Sequence, residues 1–486
     1  MKSKFLFIIN KLNMFMKVIN LRQLNFICFV SISLYFLLTS NIYSIDLTLE
    51  KSIKIGVENN KDLAYQKLEI EKAEQAVKEA KGHAYPTIDF NSSFYHYIQK
   101  PILFFPDFQA FINNATYGIL FKEHLVPPDN SKFLPMGLTK QSFFLNNQFE
   151  NKIQLTQILF NSTVFRGIGA SKTYLEISKY NYQSTLCNLV ANIKKAFYGC
   201  ILLKNLKEIY QESLANAEEN LATVKSLYNQ GLISEFDLMQ AEVQVENLKP
   251  LVENANNSYK NALNNLKLLL NLPMDTSIEI TGELAMKETT IPEQSELIKL
   301  VSENNLQLKT LEYKKKVDIE MVELYRSEYY PSLVAFANYS FAGQSDKLNF
   351  NTYSQSLIGI QLSINLFNGF QTKSRVQQST INYKQTEEQI QQLRQFLTKQ
   401  ILERVDDLEK ARKQILAQEK NIRLAEKAYQ IAQTKYKNGT AIQLEVKNAE
   451  NELRQAKLNY QQALFEYISA QIDIDNILGK IDYEDK

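Results

Sequence analysis

Two stretches decide how this chain is read: "YNQGLISEFDLMQAE", Tyr228–Glu242, and "YKNGTAIQLEVKNAE", Tyr436–Glu450. In each, a Tyr stands three residues before a Gly, an acid follows six after it, and Ala-Glu closes the stretch. A glycine at the end of a helical pattern enters the left-handed region without a Cβ penalty, so it suits a helix reversal. The chain therefore carries the same turn twice.

The duplication extends in both directions, and internal repeats rank above any local reading. "VENNKDL" (Val57–Leu63) recurs as "SENNLQL" (Ser302–Leu308), and "AYPTIDF" (Ala84–Phe90) as "YYPSLVA" (Tyr329–Ala335). "LTQILFN" (Leu155–Asn161) recurs as "LSINLFN" (Leu362–Asn368). The early pairs are offset by about 245 positions and the later ones by about 207, so the first copy carries about 38 extra residues between Phe90 and Leu155.

Each copy follows one plan. A helical segment runs over about 49–84, and again over about 292–329, and each ends at a proline, which a helix rarely passes. Two strands follow. In "IGIQLSINLF", Ile358, Ile360, Leu362, Ile364 and Leu366 alternate with Gly359, Gln361, Ser363 and Asn365, which puts apolar and polar sets on opposite faces. Its counterpart places Ile153, Leu155 and Leu159 outward, with Gln157 breaking the pattern. The preceding strands offer Ile88, Phe90 and Phe94, and Leu333, Ala335, Ala337, Tyr339 and Phe341. Proline-free helical segments come next, over about 163–228 and 372–436. Their seams, Tyr210, Leu214, Ala217, Leu221, Val224, Tyr228 and Ile422, Ala425, Tyr429, Ala432, Tyr436, have coiled-coil spacing. After the Gly, shorter helices are expected over Ser234–Leu270 and Ile442–Leu478, the first kinked at Pro250. Two of these end to end match one long helix of roughly 100 Å, which suits a tube wall.

Composition agrees. The 486 residues include only 14 Gly and 10 Pro, as long helices require, and a net charge of +2 offers no strong field for nucleic acid. Lys2, Lys4, Lys11, Lys17 and Arg22 precede an apolar run from Phe26 to Leu38 and then "TSNIYS", which reads as an export signal cleaved after Ser44, with Met14 or Met16 as alternative starts. Cys28 lies inside the apolar run, so no lipoprotein acylation site is expected. Cys187 and Cys200, if on one helix, stand about 20 Å apart, too far for a disulfide. No other apolar run is expected to reach helical transmembrane length, so membrane entry must take the form of a barrel.

No catalytic constellation is present. The histidines are His83, His96 and His124, without metal spacing, and there is no nucleophile elbow, phosphate loop or dinucleotide fingerprint. We expect no catalysis, cofactor or metal, and read the helical acids as solvated faces. Four strands per chain are too few to close a barrel, which starts near eight, whereas three copies would supply twelve.

From "LTLEKSIKIGVENN" to "NILGKI" the chain resembles the TolC family of bacterial outer-membrane efflux proteins. The resemblance rests on the ENN-containing start, the Pro before each first strand, the "LFN" ending each second strand and the Tyr-x-x-Gly…acid…Ala turns, in order, twice. It implies a mainly α fold with a membrane β-barrel: a homotrimer with a coiled-coil α-barrel and a twelve-stranded barrel, four strands per chain. The organisation expected is a signal peptide (1–44), a first repeat (45–285) with a long loop at about 95–145, a second repeat (286–480) and a tail (481–486).

The function implied is a passive outer-membrane exit duct of a tripartite efflux or type I secretion system. Its partners would be a periplasmic adaptor (membrane fusion protein), an inner-membrane RND or ABC-type pump and outer-membrane lipid, with no nucleic acid. Family adaptors fit beside the turns, here Gly231-Leu232 and Gly439-Thr440. The periplasmic constriction maps to Tyr436, Glu445 and Asn448, with Ala441 where the family often has Arg and Asn448 where it has a second acid. Asp237 stands at the acid position of the first repeat as a supporting residue, and Gln240 replaces its second acid. The alternative from another class is a soluble periplasmic coiled-coil scaffold or adaptor. Two hairpins, few glycines and lipid-suited strands weigh against it. The Phe- and Pro-rich extra segment, Gln99–Gly137, is expected at the outer surface, where it covers the barrel mouth, contacts lipopolysaccharide or packs on itself.

Overall fold

Each asparagine- or glycine-marked break in the sequence becomes an element boundary. The computed structural model describes residues 45–287, 292–481 and 483. The expected signal segment, 1–44, lies outside them. In chain order the first repeat runs β1 (Ile45–Leu47), α1 (Leu49–Asn59), α2 (Lys61–Gly82), β2 (Thr87–His96), β3 (Leu103–Pro106), α3 (Phe108–Lys122), β4 (Leu138–Gln141), β5 (Asn147–Phe160), α4 (Ser162–Asn229), α5 (Glu235–Leu269) and β6 (Ile278–Ile280). The second runs α6 (Gln294–Asn304), α7 (Leu306–Arg326), β7 (Ser332–Ser345), β8 (Asn351–Ser363), α8 (Gln371–Lys437) and α9 (Gln443–Ile477).

Two compact units cut across the repeats. One comprises Gln66–Asn181 and Gln307–Leu393; the other gathers, among the described residues, 45–65, those within 182–306, and 394–481.

The first unit holds an antiparallel sheet of order β2-β5-β7-β8. Its register aligns the apolar positions across strands: Phe90 pairs Ile153, Ile153 pairs Tyr339, and Ala337 pairs Ile358. Because successive side chains alternate, Asp89, Gln154 and Asn338 form a polar row on the opposite face. Strand β8 is shorter than its alternation implied. It ends at Ser363, which pairs Ser332, and β7 begins there because Pro331 precedes it; Ile364 and Leu366 lie beyond the paired register. The odd Gln157 serves the backbone locally. Its amide donates to the Ala84 carbonyl at 3.0 Å, where the chain passes from α2 into β2. The register shifts between Ile158 and Phe160, a bulge at the end of β5.

The second unit is built on helices. Ile193, Phe197 and Ile201 of α4 are fully buried, as are Leu266, Ile280, Leu297 and Ile401. The segment 49–84 proves to be two helices. Asn60 breaks them with φ −68° and ψ 126°, and its side chain accepts from Leu63 N–H at 2.9 Å. Asn305 makes the same break between α6 and α7, with φ −59° and ψ 123°. The "ENN" motif is therefore a helix interruption with its own cap. Each repeat docks the far end of its short helix on this break: Asn271 Nδ2 donates to Asn59 O at 3.2 Å, and Asn305 Nδ2 to Ile477 O at 2.9 Å.

Helix α5 runs as one element of 35 residues with Pro250 inside it. One further expectation needs correction. Helix α4 does contain an 18-residue window long and apolar enough to cross a membrane; 56% of it is buried, which is the mark of a core helix. The parallel pair β1·β6 and the β3·β4 hairpin escaped the sequence reading, because three- and four-residue strands carry too little periodicity to detect. Cys187 and Cys200 form no disulfide, and burial pushes the Cys200 thiol up to about 12.

Candidate functional site

The two helix reversals form the candidate site, and both lie in the helical unit. Each long helix ends on the same backbone device. Leu232 N–H donates to Leu227 O at 3.0 Å and Gly231 N–H to Tyr228 O at 2.9 Å. Thr440 N–H donates to Lys435 O at 2.9 Å and Gly439 N–H to Tyr436 O at 3.0 Å. These are paired Schellman closures, with both glycines at φ +72° in the left-handed region. Gly231, Leu232, Gly439 and Thr440 are all exposed.

The short helices then start differently. Ser234 caps α5: its hydroxyl accepts from Asp237 N–H at 3.2 Å, and Asp237 Oδ2 accepts from Ser234 Oγ at 2.6 Å and Ser234 N–H at 3.3 Å. This reciprocal capping box gives Asp237 a structural role on its own helix. The Ser-x-x-Asp pattern is itself a capping-box signature in the sequence. At the equivalent place Ile442 precedes α9 and offers no side-chain cap. Glu445 occupies the third helical position of α9, exposed, with no hydrogen bond or ion pair from its carboxylate among the described residues. It keeps only the favourable field of the helix N-terminus. Asn448, one turn further, is also exposed.

Tyr436 is placed elsewhere. It is 6% exposed and packs in a core drawn from four helices, with Val224, Ala241, Tyr429, Ala432, Val446 and Leu453. Its hydroxyl has no partner among the described residues. Burial pushes its phenol pKa up, and the Asp237 carboxylate pushes the same way. The first repeat's acid thus acts on the second repeat's tyrosine. Two further buried polar groups escaped the sequence reading. Gln443 is 1% exposed with neither side-chain polar atom paired among the described residues, and Glu450 binds Arg454 at 2.9 Å through Oε2 while Oε1 is unpaired among them. In the sequence both look like ordinary helix-surface residues.

Around the turns the surface is apolar. Leu232, Phe236, Met239 and Val243 of the first repeat, and Ile442 and Leu444 of the second, are exposed. Among the described residues no group of three or more His, Cys, Asp or Glu could hold a metal ion.

The comparisons with known proteins agree with this architecture. The family model described as outer membrane efflux protein matches residues 143–272 and 297–480, and so takes in the turns of both repeats. The outer membrane protein TolC of Salmonella enteritidis is 21% identical over 352 residues, covering 70% of this chain and 71% of TolC. The alkaline protease secretion protein AprF of Pseudomonas aeruginosa is 21% identical over 345 residues, with the same shares. A crystal structure of CusC, described in terms of transmembrane channel formation, superposes with a TM-score of 0.71 at 17% identity, covering 90% of this chain and 93% of CusC. The expected fold class stands: long coiled-coil helices with a membrane β-barrel, in which the four-stranded sheet is this chain's share. Its place is the outer membrane, with the helices in the periplasm. The family match covers most of both repeats, and the chain belongs to the outer membrane efflux protein family.

Proposed function

We propose that three copies of this chain form a passive exit duct of a tripartite efflux or type I secretion system, with Glu445 lining its periplasmic mouth. The observation that carries the reading is the sheet, whose register lines up Phe90, Ile153 and Tyr339, and Ala337 with Ile358, on one face, opposite the polar row of Asp89, Gln154 and Asn338, which suits lipid outside and water inside. Four strands close no barrel, and three chains bring the number to twelve. The duct performs no catalysis; an inner-membrane RND or ABC-type pump supplies the energy, and a periplasmic adaptor couples it to the duct. The exposed apolar residues beside Gly231-Leu232 and Gly439-Thr440 give adaptor hairpins something to bury. The names of the relatives span protein secretion and efflux, and the cargo follows from the pump.

The mouth is the testable part. Glu445 is exposed and uncommitted, so three such carboxylates around an axis would repel one another and attract cations. Trimers reconstituted in planar bilayers should conduct, with block by divalent cations from the periplasmic side. Glu445→Gln should weaken that block and raise resting conductance. Unchanged block and conductance would remove Glu445 from the mouth, and absence of any channel would remove the duct.

A further inference from the structure

The connection between β2 and β5 has a structure of its own, which the duct reading leaves unused. Strand β2 is entered from α2 and β5 leads into α4, so this connection lies at the sheet end away from both helices. With the helices in the periplasm, that end is at the outer leaflet. Here β3 and β4 pair, and α3 packs on the segment that follows it. Asn113 Nδ2 donates to Lys132 O at 2.6 Å, Asn114 Nδ2 to Leu134 O at 2.8 Å, and Leu134 N–H to Asn114 Oδ1 at 2.7 Å. Ala110 is fully buried, and the Phe121 ring meets Phe133 at 5.6 Å.

The helix therefore carries apolar side chains on its outward face as well as its inward one. Residues 110, 113, 114, 117 and 121 share the inward face, which includes both asparagines. Phe108, Phe111, Ile112 and Ile119, at spacings of three, four and seven, share the outward face, each between 54% and 61% exposed. The charges around this stripe are sorted. Asp107 and Asp129 are spent as caps, and Lys100 is paired with Asp346 at 2.7 Å. Among the described residues Lys122 and Lys132 make no ion pair, Lys132 helps to hold the Asp129 carboxylate low, and Lys140 lies over the Phe104 ring at 5.9 Å; the exposed Glu123 carboxylate follows Lys122. An outward apolar stripe in a connection that carries three lysines outside ion pairs complements an anionic lipid surface.

The connection that carries the stripe is also tied to the sheet. Asp346, which holds Lys100, also accepts from Asn146 N–H at 3.0 Å, tying the connection to the β7–β8 turn. Phe350 in that turn meets Phe149 at 5.0 Å and Phe94 at 6.4 Å, the outermost aromatics of the apolar rows. We propose that α3 is an in-plane membrane anchor. Phe108, Phe111, Ile112 and Ile119 enter the acyl boundary of the outer leaflet, and Lys122, Lys132 and Lys140 meet lipid phosphates.

The chain has no tryptophan, so each Trp substitution supplies the only indole. Full-length Phe111→Trp and Ile119→Trp proteins would be reconstituted in phosphatidylcholine vesicles with brominated acyl chains, with and without phosphatidylglycerol. Ile358→Trp on the apolar row of β8 is the control for barrel insertion, and Gln109→Trp is the off-stripe control. Expected are blue-shifted, bromine-quenched indoles at 111, 119 and 358 but not at 109. Phosphatidylglycerol should deepen quenching at 111, and the combined Lys122→Gln, Lys132→Gln and Lys140→Gln changes should abolish that gain. Quenching at 358 with iodide-accessible indoles at 111 and 119 would overturn the anchor and leave the barrel reading intact. Indoles at 111 and 119 shielded from bromine and iodide alike would assign the stripe to a neighbouring copy and overturn it equally. No response to phosphatidylglycerol would remove the lysines' part.

Discussion

At equivalent positions the two repeats share a backbone and differ in side chains. Both long helices end on a Schellman closure through a left-handed glycine, Gly231 or Gly439. Beyond it the first repeat spends its acid on a capping box with Ser234, whereas the second leaves Glu445 uncommitted behind an uncapped Ile442. The same holds at the other end of the short helices: left-handed Asn271 closes α5, and left-handed Gly479 closes α9. Duplication keeps the backbone geometry, because a reversal admits few solutions, and frees the side chains to take separate roles. The first hairpin is the stiffened one, and the second holds the groups with chemical freedom.

The largest effect should come from the helix ends. A Cβ at Gly479 would stand 2.6 Å from the Asn304 carbonyl oxygen, on a residue already at φ +66°. Left-handed strain of roughly 1–2 kcal/mol and a clash of similar size make Gly479→Ala cost on the order of 3 kcal/mol. Asn271→Ala should cost only about 1–2 kcal/mol. Thermal unfolding of the two variants tests this; equal losses would mean that the Asn304 backbone yields.

Tyr436 should respond in the opposite direction. A buried hydroxyl without a partner costs about 1–3 kcal/mol, so Tyr436→Phe, which keeps the ring, should stabilise the tip by about 1 kcal/mol or more. The pH dependence follows in sign. The folded phenol pKa is raised above the unfolded value near 10, so this contribution is intact below pH 10 and lost as pH rises through the raised value. The Phe variant should therefore lose less stability than the parent between neutral pH and pH 11. Destabilisation by Tyr436→Phe at neutral pH would mean that the hydroxyl finds a partner in the assembled duct.

Ser234→Ala should cost about 1 kcal/mol, confined to the first turn of α5 and read as faster hydrogen exchange at Asp237 and Leu238. Exchange unchanged there would dissolve the distinction between the two turns.

Much of this was legible in the sequence because it rests on periodicity and punctuation. The alternation through Ile358, Ile360 and Leu362, the seam through Tyr429 and Tyr436, and the two glycines fixed strands, helices and reversals to within a few residues. What escaped depends on partners distant in the chain. That β8 stops at Ser363 follows from Pro331 ahead of its neighbour. That Gln443 and Glu450 are buried depends on the helices packed around them. The outward stripe of α3 looks, in sequence alone, like any apolar loop segment, since only contacts to Lys132 and Leu134 tell which face is inside.

The smallest change asks most of the comparison. Ile442→Ser would give the second turn the box it lacks, Ser-x-x-Glu, with Glu445 already at the third helical position. Ile442 is exposed, so little burial is lost, and the new cap should add a few tenths to about 1 kcal/mol. The expected signature is slower exchange at Glu445 and Val446. The carboxylate would then be engaged as Asp237 is, and if its freedom is what gives the mouth its cation affinity, divalent block should weaken toward that of Glu445→Gln while the negative charge remains. Slower exchange with unchanged block would show that charge alone matters at the mouth, and that the uncapped second turn has no bearing on gating.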